Sequence, residues 1–443
     1  MKTKSIHLFI LFLVFTSGIA SSQSFNSEKI DSLLNLLAEK NKAMGSLAIS
    51  KNGNILYTRA IGYSQLTPQQ IASTPKTKYR IGSISKMFTA TLIFQLIEEG
   101  KLELSTTLDN YFPTVANANI ITVGNMLNHR SGIHSFTNDL SYLQWMAQPK
   151  TQDEMIRIIS ASKPEFEPGS KTAYSNSNFV LLGFIVEKIT KSPYNEVLQD
   201  RICSKIGLED TYYGGKTDVT MNESYSYKFE GSWKQQSETD MSIPHGAGAI
   251  VSTPSDLVRF ITALFTHRLV GETSLNSMKT ITDGLGMGMQ QFPFEDKVVF
   301  GHGGAIDGFN AMLGFFPEDS LSIAYCSNGT VYSINDILIG SLSIYHHKPY
   351  SLPVFTTYAI KPEELDQYLG KYSSAQIPLK IILTKDNGTL FGQATGQPAF
   401  PLEAAEKHVF KFEAAGIVMR FNAEATEFVL EQGGGKFTFV KDK

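Results

Sequence analysis

The densest apolar block in the chain contains Met87, Phe88, Leu92, Ile93, Phe94, Leu96 and Ile97, and closes at Glu98, Glu99 and Gly100. It is too long for a strand and stops at a glycine, so the pattern predicts a helix buried on most sides. Upstream, residues 28–42 place Ile30, Leu33, Leu34, Leu36 and Leu37 along one stripe, as an amphipathic helix does. Residues 45–50 and 55–62 read as strands joined at Asn52-Gly53, a dipeptide suited to a two-residue hairpin. Between residue 102 and about 242, helical pieces alternate with polar loops, most clearly at 123–127 and 179–190. Another helix is predicted over 254–264, capped by Thr253 or Ser255. Strand signals return at 297–303, 309–316 and 321–327, and a helix follows at 334–345. Strands at both ends of a helical middle predict an α+β fold. One antiparallel sheet is built from the two chain ends, helices pack on it, and an all-α subdomain is inserted.

The pattern then changes. Residues 348–362 hold three prolines and little periodicity, which predicts a linker. A short helix is expected at 363–370. Alternating runs at 379–384, 389–394, 408–412, 418–422 and 437–440, with turns at Asn387-Gly388 and 433–435, predict a small all-β, barrel-like domain over 363–443.

Composition adds a leader. Lys2 and Lys4 precede a short apolar core at 7–15, and small residues follow at Gly18, Ala20, Ser21 and Ser22. This is the pattern of a signal peptide over 1–22, with a periplasmic or secreted product. Losing its two lysines takes the net charge from −3 to −5. The apolar core is too short to span a bilayer, so stable membrane insertion is not expected. No basic cluster points to nucleic acid. Cys203 and Cys326 are the two cysteines; their apolar neighbours fit buried thiols, and a disulfide stays open. Neither cysteine has metal-ligand spacing and the nine histidines form no cluster, so neither a metal nor another cofactor is expected.

Four stretches carry candidate chemistry. Ser83 and Lys86 open the buried helix three residues apart, on one face. A lysine one turn away can take the proton of a serine hydroxyl, and the helix N-terminus adds partial positive charge. An N-cap serine beside a surface lysine would look the same. Tyr174-Ser175-Asn176 follows Pro168-Gly169-Ser170 and precedes a helix. Its tyrosine can hold a proton near a nucleophile, or be an ordinary loop residue. Gly301-His302-Gly303-Gly304-Ala305 ends a predicted strand. Paired glycines there mark a close approach of backbone or ligand, or a bulge. The N–H groups of Ser83 and Ala305 together would make an oxyanion hole. His129, in Asn128-His129-Arg130-Ser131-Gly132, reads as a structural hydrogen-bonding residue rather than a base.

In order and spacing, Ser83-Ile84-Ser85-Lys86, Tyr174-Ser175-Asn176 and His302-Gly303-Gly304 resemble the three motifs of the serine β-lactamase and penicillin-binding-protein superfamily. The nearest branch holds class C β-lactamases, D-alanyl-D-alanine carboxypeptidases, D-aminopeptidases and family VIII esterases. The resemblance covers about 46–344. It implies a β-lactamase/transpeptidase-like domain over 23–347, with Ser83 as acylated nucleophile, Lys86 as its activator and Tyr174 as general base or acid. It also implies that Asn176 holds substrate and Lys86, and that Ser83 and Ala305 donate to the oxyanion. The expected partner is a small-molecule or peptide substrate; the oligomeric state is left open. The third motif departs from the usual Lys-Thr-Gly or Lys-Ser-Gly. His302 replaces the fixed cation and Gly303 lacks the hydroxyl, so anion recognition weakens and poor β-lactam turnover is expected. Transfer of the acyl group to another acceptor, or a binding protein keeping the fold, are the alternatives.

Overall fold

The computed structural model describes residues 25–355 and 358–442. The expected leader lies outside the described residues. The main sheet has six strands, in the order Gln290–Phe294, Lys297–Ile306, Phe309–Phe316, Leu321–Thr330, Ala43–Lys51 and Asn54–Ile61. Every neighbouring pair is antiparallel. The two ends of the domain meet where Ala48 faces Ala324.

Two apolar layers sandwich this sheet. Helices Ser27–Glu39 and Ile334–Tyr345 place Leu33, Leu37 and Ile337 against Leu47 and Ile49. The opposite face carries Ala48 with Phe88 and Phe260, whose rings stack at 3.7 Å. The first strand is therefore buried on both sides and shows no polar alternation. Helix Pro254–Phe265 starts at Thr253, whose Oγ1 accepts the Asp256 N–H at 3.2 Å.

Three boundaries differ from the sequence reading. The apolar helix spans Ser85–Glu98 and is preceded by a 3₁₀ turn, Gly82–Ile84, so Ser83 sits in the turn and not in the helix proper. The edge strand Gln290–Phe294 has no counterpart in the sequence reading; it contains Pro293, whose missing N–H is tolerated at a sheet edge. The glycine-rich strand continues to Ile306.

The C-terminal part is a closed eight-stranded barrel. It adds Gly370–Ser373, Phe400–Glu406 and Glu427–Gln432 to the strands expected from alternation, and the short helix before it is a 3₁₀ turn, Pro362–Tyr368. Its core, around Tyr372, Phe421, Phe428 and Phe439, is separate from the two layers of the main sheet. Cys203 and Cys326 are buried free thiols with no disulfide between them. Among the described residues no helix is long and apolar enough to cross a membrane.

Candidate active site

The site begins with a backbone contact. Gly82 holds φ +52°, a conformation that strains residues with a Cβ, and a Cβ there would sit 2.7 Å from the Ala305 nitrogen. A Cβ on Gly304 would overlap the Ile81 carbonyl and stand 3.2 Å from the Ser83 nitrogen. The 3₁₀ turn and the glycine-rich strand can thus lie backbone to backbone, which brings Ser83 and Ala305 side by side. Both line a cavity of about 430 Å³.

Lys86 is fully buried beneath the serine. Its Nζ lies 2.9 Å from Ser83 Oγ, 2.8 Å from Asn176 Oδ1 and 2.8 Å from the Ala247 carbonyl. All three partners are neutral. Burial without a countercharge pushes the amine well below the usual lysine range. A neutral amine has two N–H donors for the two carbonyl-type oxygens, which leaves its lone pair to face the Ser83 hydroxyl.

Tyr174 stands on the other side of Lys86, with the ring centroid 4.9 Å from Nζ. Although 36% of the residue is exposed, its hydroxyl is enclosed and reaches Ser83. Burial raises the phenol above its ordinary value, and the Ser83 hydrogen bond offsets part of that rise. The phenol is therefore protonated near neutral pH.

Neighbouring groups fix these side chains. Asn176 opens helix Asn176–Thr190; its Nδ2 donates to Thr137 Oγ1 at 2.9 Å, which turns Oδ1 toward Lys86. His129 stacks on Tyr174 with centroids 4.3 Å apart, and its Nδ1 accepts the Ser175 N–H at 3.1 Å. Burial first, then repulsion from Lys86 and His302 in their protonated forms, holds His129 well below the usual imidazole range.

His302 is also buried, and its Nδ1 donates to the Gly303 carbonyl at 2.5 Å. Burial, with Lys86 nearby, pushes its pKa down to about 3. The third motif therefore presents no cation at neutral pH. Of the residues expected from sequence, Ser83, Asn176 and Ala305 line the cavity, whereas Lys86, Tyr174, His302, Gly303 and Gly304 do not. Among the described residues no group of three or more His, Cys, Asp or Glu could hold a metal ion.

A family model described as Beta-lactamase matches residues 33–336. The chain belongs to the β-lactamase family. Within this family it is similar to Penicillin-binding protein 4* of Bacillus subtilis (strain 168), 25% identical over 454 residues that cover 94% of this chain and 98% of the relative. Among solved structures it is similar to a D-amino acid amidase from Ochrobactrum anthropi SV3, with a TM-score of 0.62 and 27% identity over 68% of this chain and 91% of that one. A D-stereospecific amidohydrolase from Streptomyces sp. gives a TM-score of 0.59 and 27% identity over 69% and 95%. An octameric penicillin-binding protein homologue from Pyrococcus abyssi shares the fold across 94% of this chain and all of its own, with a TM-score of 0.64 at 23% identity. As a member of this β-lactamase family, the chain is a serine hydrolase.

Sequence reading missed two parts of this β-lactamase-family site. The Ala247 carbonyl on Lys86 is a backbone group, and the only trace of it is the small-residue run around the buried turn His245–Gly248. The hydroxyls of Ser135 and Thr137 hold Asn176 from a loop with no periodic signal.

Proposed function

We propose that this β-lactamase-family hydrolase works through a covalent acyl-enzyme on Ser83, with neutral esters or amides as substrates. One observation carries the reading: Lys86, buried among neutral acceptors, has its nitrogen 2.9 Å from Ser83 Oγ. The neutral amine takes the Ser83 proton as Oγ attacks the acyl carbon. The N–H groups of Ser83 and Ala305 receive the oxyanion; loss of one such donor costs about 3 kcal/mol. The bond to the leaving oxygen or nitrogen then breaks, and the Tyr174 phenol supplies the proton that group needs while regaining one from Lys86. Water repeats the sequence in reverse roles and frees the acid. The amidohydrolase likenesses support amides of D-amino acids among the substrates.

Export and weak β-lactam turnover belong to the same proposal. The leader pattern at 1–22 supports export, and a mature N-terminus at Gln23 would be its signature. The neutral, buried His302 and the absent hydroxyl at Gly303 support weak β-lactam turnover, because nothing there grips a carboxylate. Incubation with p-nitrophenyl acetate should give a burst of nitrophenol and an acyl adduct on Ser83 by mass spectrometry. Ser83→Ala should lose both, and full activity in that variant would refute the assignment. Hydrolysis of nitrocefin with kcat/KM above about 10⁶ M⁻¹s⁻¹ would refute weak β-lactam turnover.

A further inference from the structure

The cavity at Ser83 has an apolar wall made by Phe136, Tyr142, Leu143 and Met146. Three of these come from a short turn-and-helix segment around Tyr142–Trp145, a helix with no buried residue. Its rings pack inward on Phe136, with centroids 5.9 Å away for Tyr142 and 6.0 Å for Trp145. Its leucines do not. Leu143 lines the cavity yet is 73% exposed, and Leu140, just before it, is 96% exposed. They are the two most exposed large hydrophobic residues among those described. Leu143 leaves aliphatic surface open at the rim of a reactive pocket, with Leu140 one turn before it in the chain, and that surface fits a ligand that covers it.

The remaining wall says what that ligand lacks. No lysine, arginine or histidine lines the cavity, and Asp307 is its one charged residue. That carboxylate is already occupied: Oδ1 accepts from the Thr239 N–H at 3.0 Å and its hydroxyl at 2.7 Å, and Oδ2 accepts from Arg80 at 3.0 Å. A charged substituent would find no free partner here.

We infer that the substrate's acyl part carries an uncharged apolar arm, alkyl or aryl, that leaves the Ser83 cavity across Leu143 and lies on Leu140. This deepens the acyl-enzyme reading and rests on it. The experiment compares kcat/KM for p-nitrophenyl octanoate and p-nitrophenyl acetate in the full chain, Leu143→Ser and Leu140→Ser. Leu56→Ser, an exposed leucine on strand Asn54–Ile61, is the control. The octanoate-to-acetate ratio should fall by at least about fivefold in the first two variants and stay at the parent value in the control. An unchanged ratio, with Ser83 still acylated, overturns the inference and leaves the acyl-enzyme reading standing. Absence of any Ser83 adduct in the parent overturns both. Co-sedimentation with phosphatidylglycerol–phosphatidylethanolamine vesicles that is lost in the leucine variants, with an unchanged ester ratio, overturns it in favour of a lipid surface.

Discussion

At the scale of single residues, the chemistry turns on what Lys86 lacks. A surface lysine would be charged and useless as a base; here complete burial with no countercharge among its partners makes the charged form costly. Arginine stays protonated at any working pH, so Lys86→Arg keeps N–H donors but removes the lone pair, and it puts a larger head group in a fully buried site. Its kcat/KM for p-nitrophenyl acetate should drop about 10³-fold. In the parent, kcat/KM should rise with pH through the lowered lysine pKa, well under the range of a free lysine. An acid limb near that free range would sink the idea. His302 makes a second, independent prediction. Its folded pKa of about 3 lies below the ordinary 6.5, so the unfolded chain binds the extra proton between those values. Stability is then complete above about pH 6.5 and falls as pH drops toward 3, by at most about 1.4 kcal/mol per pH unit from this group. Urea midpoints at pH 7.5 and 5 should converge in His302→Gln; an unchanged gap would assign the acid sensitivity elsewhere, His129 first. The residue types of Ser83, Lys86, Tyr174 and His302 were legible in the sequence. Their protonation was not, because it depends on burial supplied by distant elements such as the turn at Ala247.

At the scale of elements, the glycine-rich strand and the 3₁₀ turn act as one unit, and the two glycines are not equivalent. A Cβ on Gly304 meets the rigid Ile81 carbonyl, whereas one on Gly303 meets the flexible end of Met312 at 3.4 Å and, at 4.0 Å, the Ala311 carbonyl oxygen. Gly304→Ala should therefore push the strand off the turn. We expect a stability loss of about 1–3 kcal/mol and a kcat about 10²-fold lower as the Ala305 N–H leaves its place. Gly303→Ala should cost far less in both. Thermal melts and steady-state kinetics on the pair decide this, and equal damage from both would refute the backbone-contact account. The double glycine was readable as a point of close approach, but not which backbone approached it. Element boundaries failed where local signals conflicted with tertiary context. The edge strand that contains Pro293 has no counterpart in the sequence reading, and the serine's 3₁₀ turn merged with the helix because Ile84 and Met87 continue the same apolar pattern.

At the scale of the whole molecule, the barrel has a core of its own, separate from the layers of the hydrolase, and should unfold as a second unit. Its alternating strands were legible, but its closure was not, since the seam between Gly370–Ser373 and Gly435–Lys441 rests on two residue pairs, Tyr372 with Lys441 and Ser373 with Val440. Tyr372 reinforces that seam. Its ring is fully buried, and its hydroxyl sits 2.9 Å from the carbonyls of both Tyr368 and Ala425, tying the entry turn to the far side of the barrel. The barrel meets the hydrolase where Lys42 pairs with Glu413 at 2.6 Å, where Gly416 lies against Ser333 and Asp336, and where Gly433 shares a cavity with Phe292 and Leu342. Tyr372→Phe removes the single O–H that the Tyr368 and Ala425 carbonyls share, which should destabilise the barrel by about 1–3 kcal/mol. Both tryptophans, Trp145 and Trp233, belong to the hydrolase, so their fluorescence reports that unit alone, while far-ultraviolet circular dichroism reports both. In Tyr372→Phe the dichroism transition should broaden toward lower urea while the tryptophan transition and ester turnover stay at parent values. A parallel shift of both signals would mean that the barrel and the hydrolase unfold as one body, coupled through the contacts of Lys42, Ser333 and Asp336 with the barrel.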